Sequence, residues 1–145
     1  MFEYRYHNLE GFDDVTQHIL GSSNYFQWAL SNLMEMGMPV NLRGFFYLRT
    51  AVGLVLSDPT YMRSITKRLY HDVGILENTT GSRVERAVRH AIDITFEKGN
   101  TEFLHTVFRN SINPDTGRPS NGSFISTMAE KLRIEIMKGE LTLDE

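Results

Sequence analysis

Apolar residues recur at intervals of three and four positions along most of the chain, which is the spacing of one face of an α-helix. No segment alternates apolar and polar residues clearly enough to predict a β-strand. The predicted helices span residues 25–36, 42–56, about 71–76, 82–98, 102–109 and 123–138, with a further helical stretch beginning near residue 60. We therefore expect an all-α fold, a compact bundle of about six helices.

The boundaries of the helical pattern suggest one main domain with short ends. The 145 residues are the size of one ordinary domain. Residues 1–24 show no clear period and are predicted to be an N-terminal extension, residues 25–140 form the domain, and 141–145 are a tail. We expect the aromatic side chains of the extension to fold back on the bundle, with a dimer arm as the alternative. These aromatic residues are Phe2, Tyr4, Tyr6 and Phe12.

The segment from about residue 71 to 98 has the pattern of a helix-turn-helix, with a short helix, a polar turn at residues 78–81 and a longer helix. At about 100° per residue, apolar positions of the second helix share one face. That inner face carries Val84, Ala87, Val88, Ala91 and Ile92, and the outer face carries Arg83, Arg86, Arg89, His90 and Asp93. Ser82 and Glu85 fit a capping box, with Thr79 and Thr80 as alternative caps.

An arginine-rich outer face has two interpretations. It is most often a solvated surface, but in a helix-turn-helix the second helix enters the DNA major groove. The planar guanidinium pairs with both acceptors of guanine. The charge distribution favours the interpretation as a DNA-binding surface, because residues 63–90 carry a net charge of +3 and the rest of the chain carries −6. A basic patch on an acidic body fits contact with phosphates at one place.

Composition excludes several other classes of protein. The chain has no cysteine, so disulfides, thiolate zinc sites and cysteine nucleophiles are impossible, and a reducing cytoplasm is expected. The first residues lack the apolar core of a signal peptide, and no apolar run is long enough to cross a membrane. No metal-ligand spacing, glycine-rich phosphate loop or nucleophile motif is present, so we expect no enzyme, no cofactor and no metal.

Several segments resemble the DNA-binding effector domain of the master response regulator of sporulation. They are SITKRLYHDVG, NTTGSRVERAVRHAID, EKGN, GFFYLRTAV and RPSNGSFISTMAEKLRIE. The resemblance covers about residues 25–137 in order, and it is specific because SRVERAVRHAI is long and keeps its arginines in phase. The fold it implies is a bundle of six helices with the helix-turn-helix inside it.

The resemblance also implies a binding site. In this family a Glu, the adjacent Arg and an Arg three residues later read the bases, which places these roles at Glu85, Arg86 and Arg89. The candidates for DNA backbone contacts are Lys67, Thr80, Ser82, Arg83 and His90. The implied partner is double-stranded DNA with a short TGTCGAA-type box, often repeated, on which domains lie in tandem and associate through the last helix.

Three features depart from the family pattern. Only about 24 residues precede the first predicted helix, too few for the phosphoacceptor receiver domain of the family, so we expect a regulator that acts without its own receiver. His71 stands where the family commonly has proline. Gly74 lies inside the first helix of the motif and lowers helix propensity by about 1 kcal/mol relative to alanine, so we expect that helix to be looser.

The leading hypothesis is a sequence-specific DNA-binding transcription regulator related to sporulation initiation, with helix 82–98 in the major groove. The alternative is a protein-interaction module that modulates a full-length sporulation response regulator. The last helix keeps this alternative open, because its long apolar stripe is typical of a core but also suits an interface. We expect the free chain to be a monomer at micromolar concentration.

Overall fold

The computed structural model describes residues 6–143. Within that range the chain forms seven α-helices and no β-strand, which confirms the predicted all-α bundle. The helices are α1 (Asp14–Leu20), α2 (Ser23–Glu35), α3 (Arg43–Ser57), α4 (Tyr70–Glu77), α5 (Gly81–Lys98), α6 (Thr101–Phe108) and α7 (Asn121–Met137). None of these helices is both long and apolar enough to cross a membrane.

Helix α3 lies at the centre of the bundle and contacts α1, α2, α4, α5 and α7. A helix that is surrounded by others has apolar residues around its whole circumference. The nine consecutive residues from Tyr47 to Val55 of α3 are all buried, and Leu48, Ala51 and Leu54 are 0% exposed. Gly44 lets α5 approach closely, because a Cβ at this position would overlap with the carbonyl oxygen of Ala87. The position of α5 therefore depends directly on the sequence of α3.

Helix α1 was not predicted, because its seven residues are too few to show a helical period. The side chain of Asp13 caps it by accepting a hydrogen bond from the Thr16 amide at 2.8 Å. Ile19 and Leu20 are buried in the common core. The Thr16 hydroxyl donates to the Ser57 hydroxyl at 3.1 Å, which ties α1 to the end of α3. Part of the predicted extension is thus packed into the bundle.

The prediction that the N-terminal aromatic residues fold back on the bundle is confirmed for Tyr6 and Phe12, which pack against the core. Phe2 and Tyr4 lie outside the described residues. The Tyr6 hydroxyl accepts a hydrogen bond from Thr50 at 3.2 Å, and its ring lies 5.4 Å from the guanidinium carbon of the buried Arg49.

Between α3 and α4 the chain forms a 3-10 turn (Pro59–Arg63) and a π-helical turn (Ile65–Leu69) where a helical stretch was predicted. The Leu69 amide donates to the Ser64 carbonyl at 3.1 Å, which is the wider spacing of a π-turn. Arg68 pairs with Asp58 at 2.7 Å and lies over the Tyr61 ring. Ile65 and Leu69 still pack into the core, but the backbone before α4 forms 3-10 and π-helical turns rather than an α-helix.

Helix α7 closes the bundle and begins two residues earlier than predicted. The Ser120 hydroxyl accepts from the Ser123 amide at 3.1 Å and caps it. The Phe108 and Phe124 rings stack at 4.6 Å, which joins α6 to α7. The apolar stripe of α7 mostly forms core, as expected. Its buried members are Phe124, Ile125, Met128, Ala129 and Leu132.

Candidate nucleic-acid interface

Helices α4 and α5 form the predicted helix-turn-helix. Asn78 adopts the left-handed conformation (φ 59°, ψ 49°) that ends α4. The Thr79 amide then donates to the Gly74 carbonyl at 2.8 Å, which closes the turn. A Cβ at Gly74 would lie 2.8 Å from the Thr79 carbonyl oxygen. The glycine predicted to loosen α4 is thus the residue against which the turn packs.

The cap of α5 differs from the predicted capping box. Thr80 is the N-cap, and its hydroxyl accepts a hydrogen bond from the Arg83 amide at 3.3 Å. Ser82 lies inside the helix and is exposed. The prediction that Ser82 and Glu85 form a capping box is wrong, and the alternative cap Thr80 is confirmed. The reason is local, since α5 begins at Gly81, one residue before the predicted start.

The two faces of α5 are as the helical spacing predicts. Val84, Val88 and Ala91 are 0% exposed on the inner face, and Ala87 is partly buried against α3. On the outer face Arg83, Arg86, Arg89 and His90 are exposed. Of the residues that the structure describes, none forms an ion pair with these three arginines. Their guanidinium groups are therefore available to an anionic partner.

Glu85 is half-buried and belongs to the contacts that hold the motif together. The Asn121 side chain of α7 donates to the Tyr70 hydroxyl at 3.1 Å and to the Glu85 carbonyl at 3.4 Å. Burial raises the pKa of the Tyr70 hydroxyl, and the nearby Glu85 carboxylate adds to the rise. Side chains of α4 and α7 thus fix the rotation of α5.

The flank of α5 that faces the 109–120 loop carries an ion pair. Arg118 of the loop pairs with Asp93, which belongs to the predicted outer face and is half-buried. Arg89 lines the same shallow depression as this pair. Asp93 and Arg118 offset each other, so the formal charge on this flank comes from Arg89.

The opposite flank of α5 forms a groove against α3. Arg43, in the first turn of α3, lines this groove together with Tyr47, Arg83, Arg86 and His90. Sequence analysis did not single out Arg43, because it lies about 40 positions before the arginines it joins. The adjacent Gly44 was the available signal, since a glycine within a helix often marks a close helix contact.

Two of the predicted residues lie outside α5, one before α4 and one in the turn between α4 and α5. Lys67 is exposed in the π-helical turn before α4. Thr80 is exposed, although its hydroxyl is already used as the cap of α5. In residues 6–143 no cluster of His, Asp and Glu is arranged to hold a metal ion.

Fold and surface together define a helix-turn-helix protein whose second helix presents arginines to solvent, which is the general form of a DNA-binding domain. Comparison with known families gives the particular class. The family described as "Sporulation initiation factor Spo0A C terminal" matches residues 30–132, and the chain belongs to this family. It is thus a domain of a DNA-binding family of sporulation regulators. Helix α1 lies outside the matched residues.

Proposed function

We propose that this chain binds duplex DNA in a sequence-specific manner, with α5 in the major groove. The observation that carries the proposal is the position of Arg86 and Arg89, both exposed on the outer face of the second helix and without an ion-pair partner among residues 6–143. In a helix-turn-helix the first turns of this helix meet the base edges. Both arginines fall within the first half of α5.

Arg86 and Arg89 have a spacing suited to neighbouring base pairs. Residues three apart in an α-helix are separated by roughly 4.5 Å along the axis. Consecutive bases on one DNA strand are about 3.4 Å apart. Long side chains can absorb this difference, and each guanidinium can pair with O6 and N7 of a guanine. We therefore assign base reading to both arginines.

Glu85 is proposed as the third base-reading residue. A carboxylate accepts a hydrogen bond from the amino group of cytosine, so it complements the guanine preference of its neighbours. The hydrogen bond between Asn121 and the Glu85 carbonyl supports this role, because it fixes the backbone from which the side chain extends. Its half-buried position restricts it to one direction of approach.

We assign DNA backbone contacts to residues that flank the base-reading group. Such contacts position the protein without carrying sequence information. Arg83 and His90 lie one turn to either side of Arg86 on α5, and both are exposed. Thr80 and Ser82 lie where the amino end of α5 meets the turn. Lys67 is the proposed contact that precedes the motif.

The proposed target is a short TGTCGAA-type box, repeated in tandem at some sites. Ile134 and Met137, at the carboxyl end of α7, are 42% and 79% exposed, and they favour contact between neighbouring domains on DNA. Adjacent boxes hold two domains at an effective concentration of about a millimolar, so a weak contact is sufficient. The free chain is expected to be a monomer by sedimentation velocity at micromolar concentration.

The same exposed apolar residues favour the second candidate function, an interaction module that modulates a full-length regulator. One experiment separates the two functions. The purified 145-residue chain is incubated with a pool of random duplexes, and bound sequences are recovered and sequenced over several rounds. Enrichment of one short motif supports direct DNA reading. A pool that stays random, with the chain folded by circular dichroism, refutes it and favours the interaction module.

A further inference from the structure

The groove between α3 and α5 extends the cationic surface of the predicted site onto α3, through Arg43. Its rim carries Arg43, Arg83, Arg86 and His90, and Tyr47 lines it from α3. No carboxylate is among its lining residues. Tyr47 is 7% exposed and therefore forms a fixed wall. A groove of this kind attracts an anion over the whole pH range in which arginine is charged.

The backbones of α3 and α5 hold Arg43 beside the arginines of α5. A Cβ at the neighbouring Gly44 would lie 2.9 Å from the Ala87 carbonyl carbon and 2.7 Å from the Ala91 Cβ. The two helices are therefore in contact directly next to Arg43. Helix α3 is buried along most of its length, so it cannot rotate without disturbing the core. The position of Arg43 relative to Arg86 is thus set by rigid elements.

The two flanks of α5 differ in how their charges are compensated. On the loop side Asp93 offsets Arg118. On the α3 side, Arg43, Arg83 and Arg86 have no ion-pair partner among the described residues. A DNA strand that runs along the outside of α5 would therefore find several uncompensated guanidinium groups on the α3 side.

We propose that the α3–α5 groove binds a phosphate of the DNA backbone, with Arg43 as its principal ligand. This inference rests on the proposed function, because it assumes that α5 lies in the major groove. A guanidinium can donate two parallel hydrogen bonds to phosphate oxygens, which fixes orientation as well as distance. The contact therefore positions Arg86 and Arg89 on the base edges and carries no sequence information itself.

The test uses Arg43→Gln in the full chain, with Arg109→Gln as the matched control. Arg109 is also exposed, loses the same charge and does not line the groove. Binding to a box-containing duplex and to a scrambled duplex is measured by fluorescence anisotropy between 50 and 200 mM salt, conditions chosen to bring out about one unit of salt slope. Thermal unfolding checks that both variants are folded.

Each phosphate contact lowers the slope of log affinity against log salt concentration by about 0.9. At roughly 0.1 M salt, the counterion that one contact releases therefore changes the affinity by about eightfold. Arg43→Gln is expected to lose about this factor on both duplexes and to lower the salt slope by about one unit, whereas Arg109→Gln stays close to wild type. If Arg43→Gln matches the control in affinity and slope, or loses affinity for the box alone, the inference is wrong. Wild-type protein that does not prefer the box over the scrambled duplex would instead refute the proposed function.

Discussion

Replacing Gly74 by alanine tests how the turn of the helix-turn-helix is built. In an exposed helix this change stabilises a protein by about 1 kcal/mol. Here the added Cβ would lie 2.8 Å from the Thr79 carbonyl oxygen, 3.2 Å from the Thr80 carbonyl carbon and 3.3 Å from the Gly81 amide nitrogen. All three atoms belong to the backbone and cannot turn away, so the turn must shift. Overpacking of this kind typically costs about 1–3 kcal/mol.

The expected net effect of Gly74→Ala is a lower free energy of unfolding, by up to about 2 kcal/mol after the gain in helix propensity. Gly81→Ala is the matched control, because its added Cβ would meet its neighbours at 3.4 Å or more, which is ordinary contact. Urea unfolding followed by circular dichroism measures both variants. If Gly74→Ala is as stable as Gly81→Ala, or more stable than wild type, the proposed packing of the turn against α4 is wrong.

Two further predictions follow from residues outside the turn. Lys67→Ala should weaken binding about equally on box and scrambled duplexes and lower the salt slope by about one unit; a changed sequence preference in a selection experiment would contradict this. Hydrogen bonds from Thr60 and Arg68 lower the pKa of Asp58 to about 2. Because the folded-state pKa is depressed, this carboxylate stabilises the fold above its unfolded pKa of about 4 and loses that effect as the pH falls towards 2. Asp58→Asn should therefore flatten part of the acid limb of a stability–pH curve measured by thermal unfolding, and an unchanged limb would rule the contribution out.

Much of the fold follows from the sequence, because long amphipathic helices carry their own period. In α5 the spacing of Val84, Val88 and Ile92 identifies the buried face without any structure. The polar turn at residues 78–81 and the loop that contains Pro114 and Pro119 also locate the starts of α5 and α7 within one or two residues. These features are local, so a single segment contains all the information needed to predict them.

The features that were not predicted depend on contacts between distant segments. Helix α1 is too short to show a period, and its burial is defined by α3. Nothing in the local sequence distinguishes Arg49 from an exposed charged residue. In the structure it is 2% exposed, and its guanidinium carbon lies 4.6 Å from the centre of the Phe26 ring. Arg43 joins the arginines of α5 only because Gly44 brings two helices into contact. Sequence reasoning predicts such arrangements only when the packing of the bundle is already known.

The central proposal is that α5 reads base pairs through Arg86 and Arg89, and one binding measurement tests it most directly. Arg86→Ala and Arg89→Ala are compared with wild type on a box-containing duplex and on a scrambled duplex at fixed salt. Each variant is expected to lose about 1–3 kcal/mol, or roughly 5- to 150-fold, on the box and much less on the scrambled duplex. An equal loss on both duplexes would mean that these arginines contact phosphates, and no loss on either would mean that α5 does not recognise DNA.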